Sequence, residues 1–281
     1  MFAAPSVSHF NWSAGALGYG DATQGVSVPA HADPHTKGAD TAVVSAIAED
    51  CYAMAILISG GSTITTVRRQ LTDILIDPAG GTSWSVLINN LISNSPAIST
   101  GFSGWWYKFP IFLKAGTAIG ARTQDVVGGS TLRVGVRVYG RPSRPERYNV
   151  GTKVQTLGAD TSTTSGTAFT PGATGSMGSY SSSLGTLTRD SWWWQVGNAT
   201  NDTSLGSITI WLDVAANATN KVICAHEILY NSSSNEICSK QAFGAVQPIQ
   251  YITAGQDVYV RGVTGSGSAD STNTAVVYAV S

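Results

Sequence analysis

The chain has 281 residues, 42% hydrophobic and only 12% charged, with a net charge of −1. The length fits one large domain or two ordinary ones, and the apolar share is enough for a core. Near-neutrality removes any long-range pull toward nucleic acid or an anionic membrane, and no run approaches the roughly 18 apolar residues of a membrane span.

In chain order, the opening MFAAPSVSHFNW lacks the basic start and long apolar run of a signal peptide. The first dozen residues read as an arm that docks on a neighbouring subunit. HADPH follows at 31–35. In an extended segment His31, Asp33 and His35 point the same way and could clasp Zn²⁺ or Ni²⁺. The plainer reading is an exposed loop, because three ligands in one turn make an incomplete site. No metal or other cofactor is expected.

Short runs of period two then recur near 42–48, 52–59, 71–77, 85–92, 106–113 and 117–123, separated by turns rich in Gly, Pro, Asn and Ser. TLRVGVRVYG at 131–140 is the clearest of them. It places Leu132, Val134, Val136 and Val138 on one face and Arg133, Arg137 and Tyr139 on the other, as a half-buried strand does. No long amphipathic helix is visible.

YGRPSRPERYNVG at 139–151 breaks the pattern with prolines and arginines. It makes a poor strand and a plausible linker. Beyond it the order begins again. KAGTAIGAR (114–122) returns as TAGQDVYVR (253–261), with Ala115, Gly116 and Arg122 matched by Ala254, Gly255 and Arg261. DILIDPAGG (73–81) returns as ITIWLDVAAN (208–217), with Asp77 set opposite Asp213, and GYGDATQG (18–25) resembles TLGADTSTTSG (156–166). Landmarks held at one spacing predict a tandem duplication. The expected fold is all-β, with two tandem antiparallel β-sandwich domains of jelly-roll type. The N-terminal sandwich and its arm take 1–140, a Pro/Arg linker 141–150, and the diverged copy 151–281.

One ordered set of motifs goes further. It comprises Gly18–Gly20, Asp73–Asp77 with Ala79–Gly81, Val86–Ile92, Phe109–Arg122 and Val134–Gly140. Together they resemble the β-rich structural proteins of tailed bacteriophages. The resemblance covers most of the first half and, more loosely, the second, where Gln256 replaces Thr and Ala216-Asn217 replaces Gly-Gly. It implies a virion part, assembled in the host cytoplasm, whose partners are other virion proteins.

Candidate contact residues fall in two groups. Trp105, Trp106, Trp192, Trp193 and Trp194 could stack on a host-surface glycan or pack at a subunit interface. In a regular strand Trp192 and Trp194 share one face and Trp193 takes the other. Arg133, Arg137, Arg141, Arg144 and Arg147 form a basic stripe that could grip an acidic partner surface. Nothing interleaves aromatics with those charges, so nucleic acid is not expected.

Catalysis finds little support. The chain has no nucleophile elbow, P-loop, H-E-x-x-H or Rossmann fingerprint. Three cysteines argue against a disulfide framework, although Cys224 and Cys238 could form one bridge. The expectation is a non-enzymatic, homo-oligomeric virion protein. A tail-associated place (fibre, fibre attachment or baseplate) comes first, a head-decoration protein second and a carbohydrate-binding module third.

Overall fold

The computed structural model describes residues 25–60, 68–95, 104–140, 150–173, 175–180, 182–200, 209–217, 222–229, 247–264 and 273–281. The described residues form strands and turns, with no helix among them. In the first half the strands are β1 (Val26–Pro29), β2 (Thr41–Val44), β3 (Ala53–Gly60), β4 (Arg68–Asp77), β5 (Ser85–Ser95), β6 (Gly104–Phe109), β7 (Ala118–Asp125) and β8 (Thr131–Tyr139). The second half carries β9 (Val154–Leu157), β10 (Ala159–Asp160), β11 (Ser165–Phe169), β12 (Ser182–Thr186), β13 (Ser191–Thr200), β14 (Thr209–Ala216), β15 (Val222–Leu229), β16 (Gln247–Ile252), β17 (Asp257–Thr264) and β18 (Asn273–Val280).

The sheet order decides the architecture. In the first half one sheet runs β1-β8-β3-β6 and the other β2-β7-β4-β5. Strands adjacent in sequence fall in opposite sheets except for the β4–β5 hairpin, which is the connectivity of an eight-stranded jelly roll. The second half runs β11-β18-β13-β16 and β12-β17-β14-β15. Strand for strand, this is the same order. The additional strands β9 and β10 flank its first sheet, β9 along β18 and β10 along β11.

The repeated Ala-Gly turn shows why the two stretches resemble each other. Gly116 and Gly255 both sit at positive φ, +86° and +85°, a conformation that glycine adopts without steric cost. Gly116 donates its N–H to Ile47 O and Gly255 to Leu187 O, both at 2.8 Å. Asp50 Oδ1 accepts the Ala115 amide at 2.8 Å, and Asp190 Oδ1 accepts the Ala254 amide at 2.9 Å. Each turn is therefore clamped by one aspartate and one backbone carbonyl from the same earlier segment of its own half.

Packing follows the period-two pattern. Leu132, Val134, Val136 and Val138 are buried in the first core, as their alternation predicts. The strand β18 goes further, because all eight of its residues are buried. Ala275, Val277 and Ala279 face the core of the second sandwich. Val276, Tyr278 and Val280 join the core of the first, together with Val154 and Trp193. A strand buried on both faces reads as a continuous apolar run, and TAVVYAV is one. The two sandwiches thus share a core. Tyr107 and Phe109 of β6 meet Tyr278 edge-on at 5.4 and 6.2 Å between ring centroids, a geometry that aromatic quadrupoles favour.

Candidate functional site

The junction of the two halves carries the densest polar chemistry. It is built on the outer face of the first-half sheet. Asp73 on β4 lies directly opposite Arg122 on β7, and Arg122 Nε donates to Asp73 Oδ2 at 2.8 Å. Lys37, from the loop between β1 and β2, donates to Asp73 Oδ1 at 2.7 Å and to the Leu71 carbonyl at 2.9 Å. The Asn90 amide donates to Asp73 Oδ1 at 2.9 Å. One carboxylate thus takes four parts in a network: two cations, one backbone amide and its own strand register.

Burial sets the electrostatics. Burial alone would raise the Asp73 carboxyl, but Lys37, Arg122 and the Asn90 amide together hold it below the usual carboxylate range. Burial is also the largest influence on Lys37 and pulls its pKa down to about 8, against the pull of Asp73. Arg122, with a third of its side chain exposed, reaches Asp40 Oδ1 as well, at 3.5 Å.

The second half closes this network from above through the turn between β10 and β11. Gln124 Nε2 donates to the Thr161 carbonyl and the Thr164 hydroxyl, both at 2.8 Å. His35 Nδ1 meets the same hydroxyl at 2.9 Å. His35 and Thr164 both hold positive φ, +57° and +53°, which is uncommon for non-glycine residues and a true outlier for a β-branched one. Such backbone persists only where its surroundings fix it. An open groove of ≈ 710 Å³ remains beside the contact, lined by His35, Thr36, Lys37, Asp73, Val86, Asn89, Asn90, Arg122, Gln124 and Thr161. Its charged groups are committed to one another within the first half, while His35 and Gln124 make the bonds to the second.

The second half repeats the pair. Asp213 on β14 lies opposite Arg261 on β17. Arg261 Nε and Nη2 donate to Asp213 Oδ2 at 3.1 and 2.9 Å. The guanidinium lies over the Tyr180 ring at 4.5 Å, a cation–π arrangement. Beside it Trp211 is 39% exposed.

No family model matches the chain, and no curated protein matches it. Two solved structures align with most of it. One is a chain of the IBDV viral particle, at 11% identity and a TM-score of 0.30, covering 84% of this chain and 56% of that one. The other is the CBM22-1-CBM22-2 tandem domain from Paenibacillus barcinonensis, at 10% identity and a TM-score of 0.23, covering 94% of this chain and 85% of that one. The chain spans just over half the length of the viral chain, and overlaps at these scores carry no functional argument.

The tryptophan run at 192–194 divides differently from the regular-strand expectation. Trp194 lies fully buried in the second core, and Trp193 packs in the first. Trp192 is partly buried against the same first cluster as Trp193, so it does not share a face with Trp194. The cause is a register irregularity between Ser191 and Trp193 in the pairing of β13 with β16. Trp105 and Trp106 pair with Ile58 and Leu57 in the β3–β6 register. Their side chains lie outside the described residues.

The three candidate metal ligands do not converge. His31 Nδ1 accepts the Asp33 amide at 3.0 Å, while His35 turns to Thr164. Among the described residues no group of three His, Cys, Asp or Glu is placed to hold a metal. In the basic stripe, Arg133 donates to the Gly25 carbonyl at 3.4 Å and Arg137 lies four residues further along β8. Arg141, Arg144 and Arg147 fall outside the described residues, as does Cys238. Cys51 is a buried free thiol.

The matching of the two halves also needs one correction. The structure pairs Asp73, not Asp77, with the repeated arginine. Asp77 instead caps the β4–β5 turn, accepting the Ala79 and Ser83 amides at 2.9 Å each.

Proposed function

We propose that the chain is a non-enzymatic building block of a tailed-bacteriophage particle. Its favoured place is the tail, as a fibre, fibre-attachment or baseplate component. It acts as a homo-oligomer among other virion proteins, and its two jelly rolls descend from one by duplication. The observation that carries the reading is the core shared by the two sandwiches. Tyr278, Trp193 and Val276 of the second half pack into the core of the first, and Gln124 and His35 of the first half hydrogen-bond the Thr161–Thr164 turn of the second. A chain built this way presents a stiff two-domain brick with a low-charge surface, which suits repeated subunit packing. Jelly rolls serve in viral capsids and in lectins, an analogy of fold and not of site. The ordered motif set favours the first of these.

The burial of Trp193 and Trp194 takes those indoles out of reach of a sugar ring. Immunogold labelling of intact particles with antibody to this chain tests the proposal. Label on the tail or its tip supports the tail-associated place. Label spread over the head moves the protein to a decoration role. Particles without label would remove the virion reading.

A further inference from the structure

The groove at the junction keeps donors and an acceptor that the fold does not use. Lys37 Nζ gives two N–H groups, to Asp73 and to the Leu71 carbonyl, and an ammonium carries three. Arg122 gives Nε to Asp73 and turns Nη1 toward Asp40 at 3.5 Å, and a guanidinium carries five N–H donors in a fork that fits a carboxylate. Both cations line the groove, and Asp40 does not. The one carboxylate between them, Asp73, is already occupied on both oxygens. Asn90 supplies the acceptor. It lines the same groove, is 8% exposed and holds φ at +56°. Among the described residues its Oδ1 has no hydrogen-bond partner, an uncommon state for a buried polar atom.

We infer that this groove binds an acidic saccharide, with the sugar carboxylate on Lys37 and Arg122 and a sugar hydroxyl on Asn90. The remaining wall has the matching chemistry. Gly120 stands two residues before Arg122 on β7, on the same face. A Cβ there would meet the Trp84 ring at 3.2 Å, so the part-exposed indole lies over that face. Val86, 43% exposed, lines the groove. It is opposite Leu75, which is itself opposite Gly120. An indole and an aliphatic side chain suit the C–H face of a sugar ring, while the exposed Thr36, Asn89 and Thr161 offer hydroxyls and an amide to its rim. A volume of ≈ 710 Å³ falls within the range of small-molecule sites. A neutral sugar would leave the two cations facing an empty space, and a bare carboxylate would leave Asn90 Oδ1 without its donor. The inference goes beyond the virion reading and does not rest on it.

The test titrates the full chain, isotope-labelled for NMR, with four probes. Two are acidic sugars of different linkage, trigalacturonate and a hyaluronan tetrasaccharide. The third is the methyl ester of trigalacturonate, which has the same rings without the charge, and the fourth is acetate. At least one acidic sugar should move the Arg122 Nε–H, the Asn90 side-chain amide and the Trp84 indole N–H saturably. The ester and acetate should each bind about 10-fold or more weakly. Asn90→Gly keeps the positive φ and removes the side-chain amide, so it should weaken the acidic sugar by about 10-fold with unchanged circular dichroism. No shift with either acidic sugar would overturn the inference, as would shifts confined to another surface. Equal binding of the ester or of acetate would overturn it too, and so would an Asn90→Gly chain that binds as well as the original. Particle labelling reports separately. Unlabelled particles with a sugar-binding chain sink only the virion reading, and labelled particles with a chain that binds no acidic sugar sink only this site.

Discussion

The hydroxyl of Tyr278 in β18 accepts the backbone amide of Ile92 in β5 at 2.7 Å. The same hydroxyl donates to the Asn90 carbonyl at 3.0 Å. Ile92 also receives the Tyr107 hydroxyl at its carbonyl. Two tyrosines from different halves thus saturate one buried residue at the edge of a sheet. Backbone groups left unpaired inside a core are costly, so the junction is specified by hydrogen bonds as well as by packing.

Tyr278→Phe should therefore destabilise the protein by about 1–3 kcal/mol, the cost of a buried donor without its acceptor. Urea denaturation measures it. Hydrogen exchange at the Ile92 amide should quicken more than exchange within β3, which lies in the other sheet.

Asp73→Asn should cost more than Asp213→Asn. The first leaves Lys37 and Arg122 facing each other without a carboxylate. A loss of about 2–4 kcal/mol follows, discounted from a fully buried pair because Arg122 is partly solvated. Asp213 serves one arginine that also rests on Tyr180, so its loss should be nearer about 1–2 kcal/mol. Paired denaturation curves decide the order.

Gly197 on β13 marks a close approach between the halves. A Cβ there would lie 2.6 Å from the Ile92 Cγ2 atom and 3.4 Å from the Tyr278 ring. Gly197→Ala should cost about 1–3 kcal/mol through overpacking. Gly129→Ala, where a Cβ meets nothing within 4 Å, pays only for its positive φ and should cost less. Melting temperatures of the two variants test the contrast.

The pH dependence has two signs. Asp73 holds a lowered pKa, so its contribution is present above the unfolded value of about 3.9 and is lost as pH falls through the lower folded value. Lys37 is the reverse of the usual lysine. Its folded pKa of about 8 lies below the unfolded value of about 10.4, so between these limits the unfolded chain binds the extra proton and stability rises with pH. Chemical denaturation across the pH range should show the alkaline rise, and Lys37→Met should abolish it.

Much of the fold was legible in the chain. The alternation of Leu132, Val134, Val136 and Val138 named a strand and its buried face. The returning Ala-Gly turn showed a repeated local geometry, because glycine takes the positive φ of Gly116 and Gly255 without steric cost. The partner of the repeated arginine was harder. DILID offers two aspartates four residues apart, and only the register of β4 against β7 selects Asp73. The junction groove gathers His35, Lys37, Asp73, Asn90, Arg122 and Thr161 from separate segments, so no local pattern announces it. The exposure of Trp211 is not legible either, for the opposite reason. A lone indole in ITIWLD looks like one more strand residue, while the runs at 105–107 and 192–194 draw the eye, and the latter is spent on the core.

The shared core is the claim on which the rest depends, and calorimetry of the full chain tests it most directly. Two sandwiches joined through β18 should unfold in a single transition, with matching calorimetric and van't Hoff enthalpies. Two separate transitions, one for each half, would contradict the account.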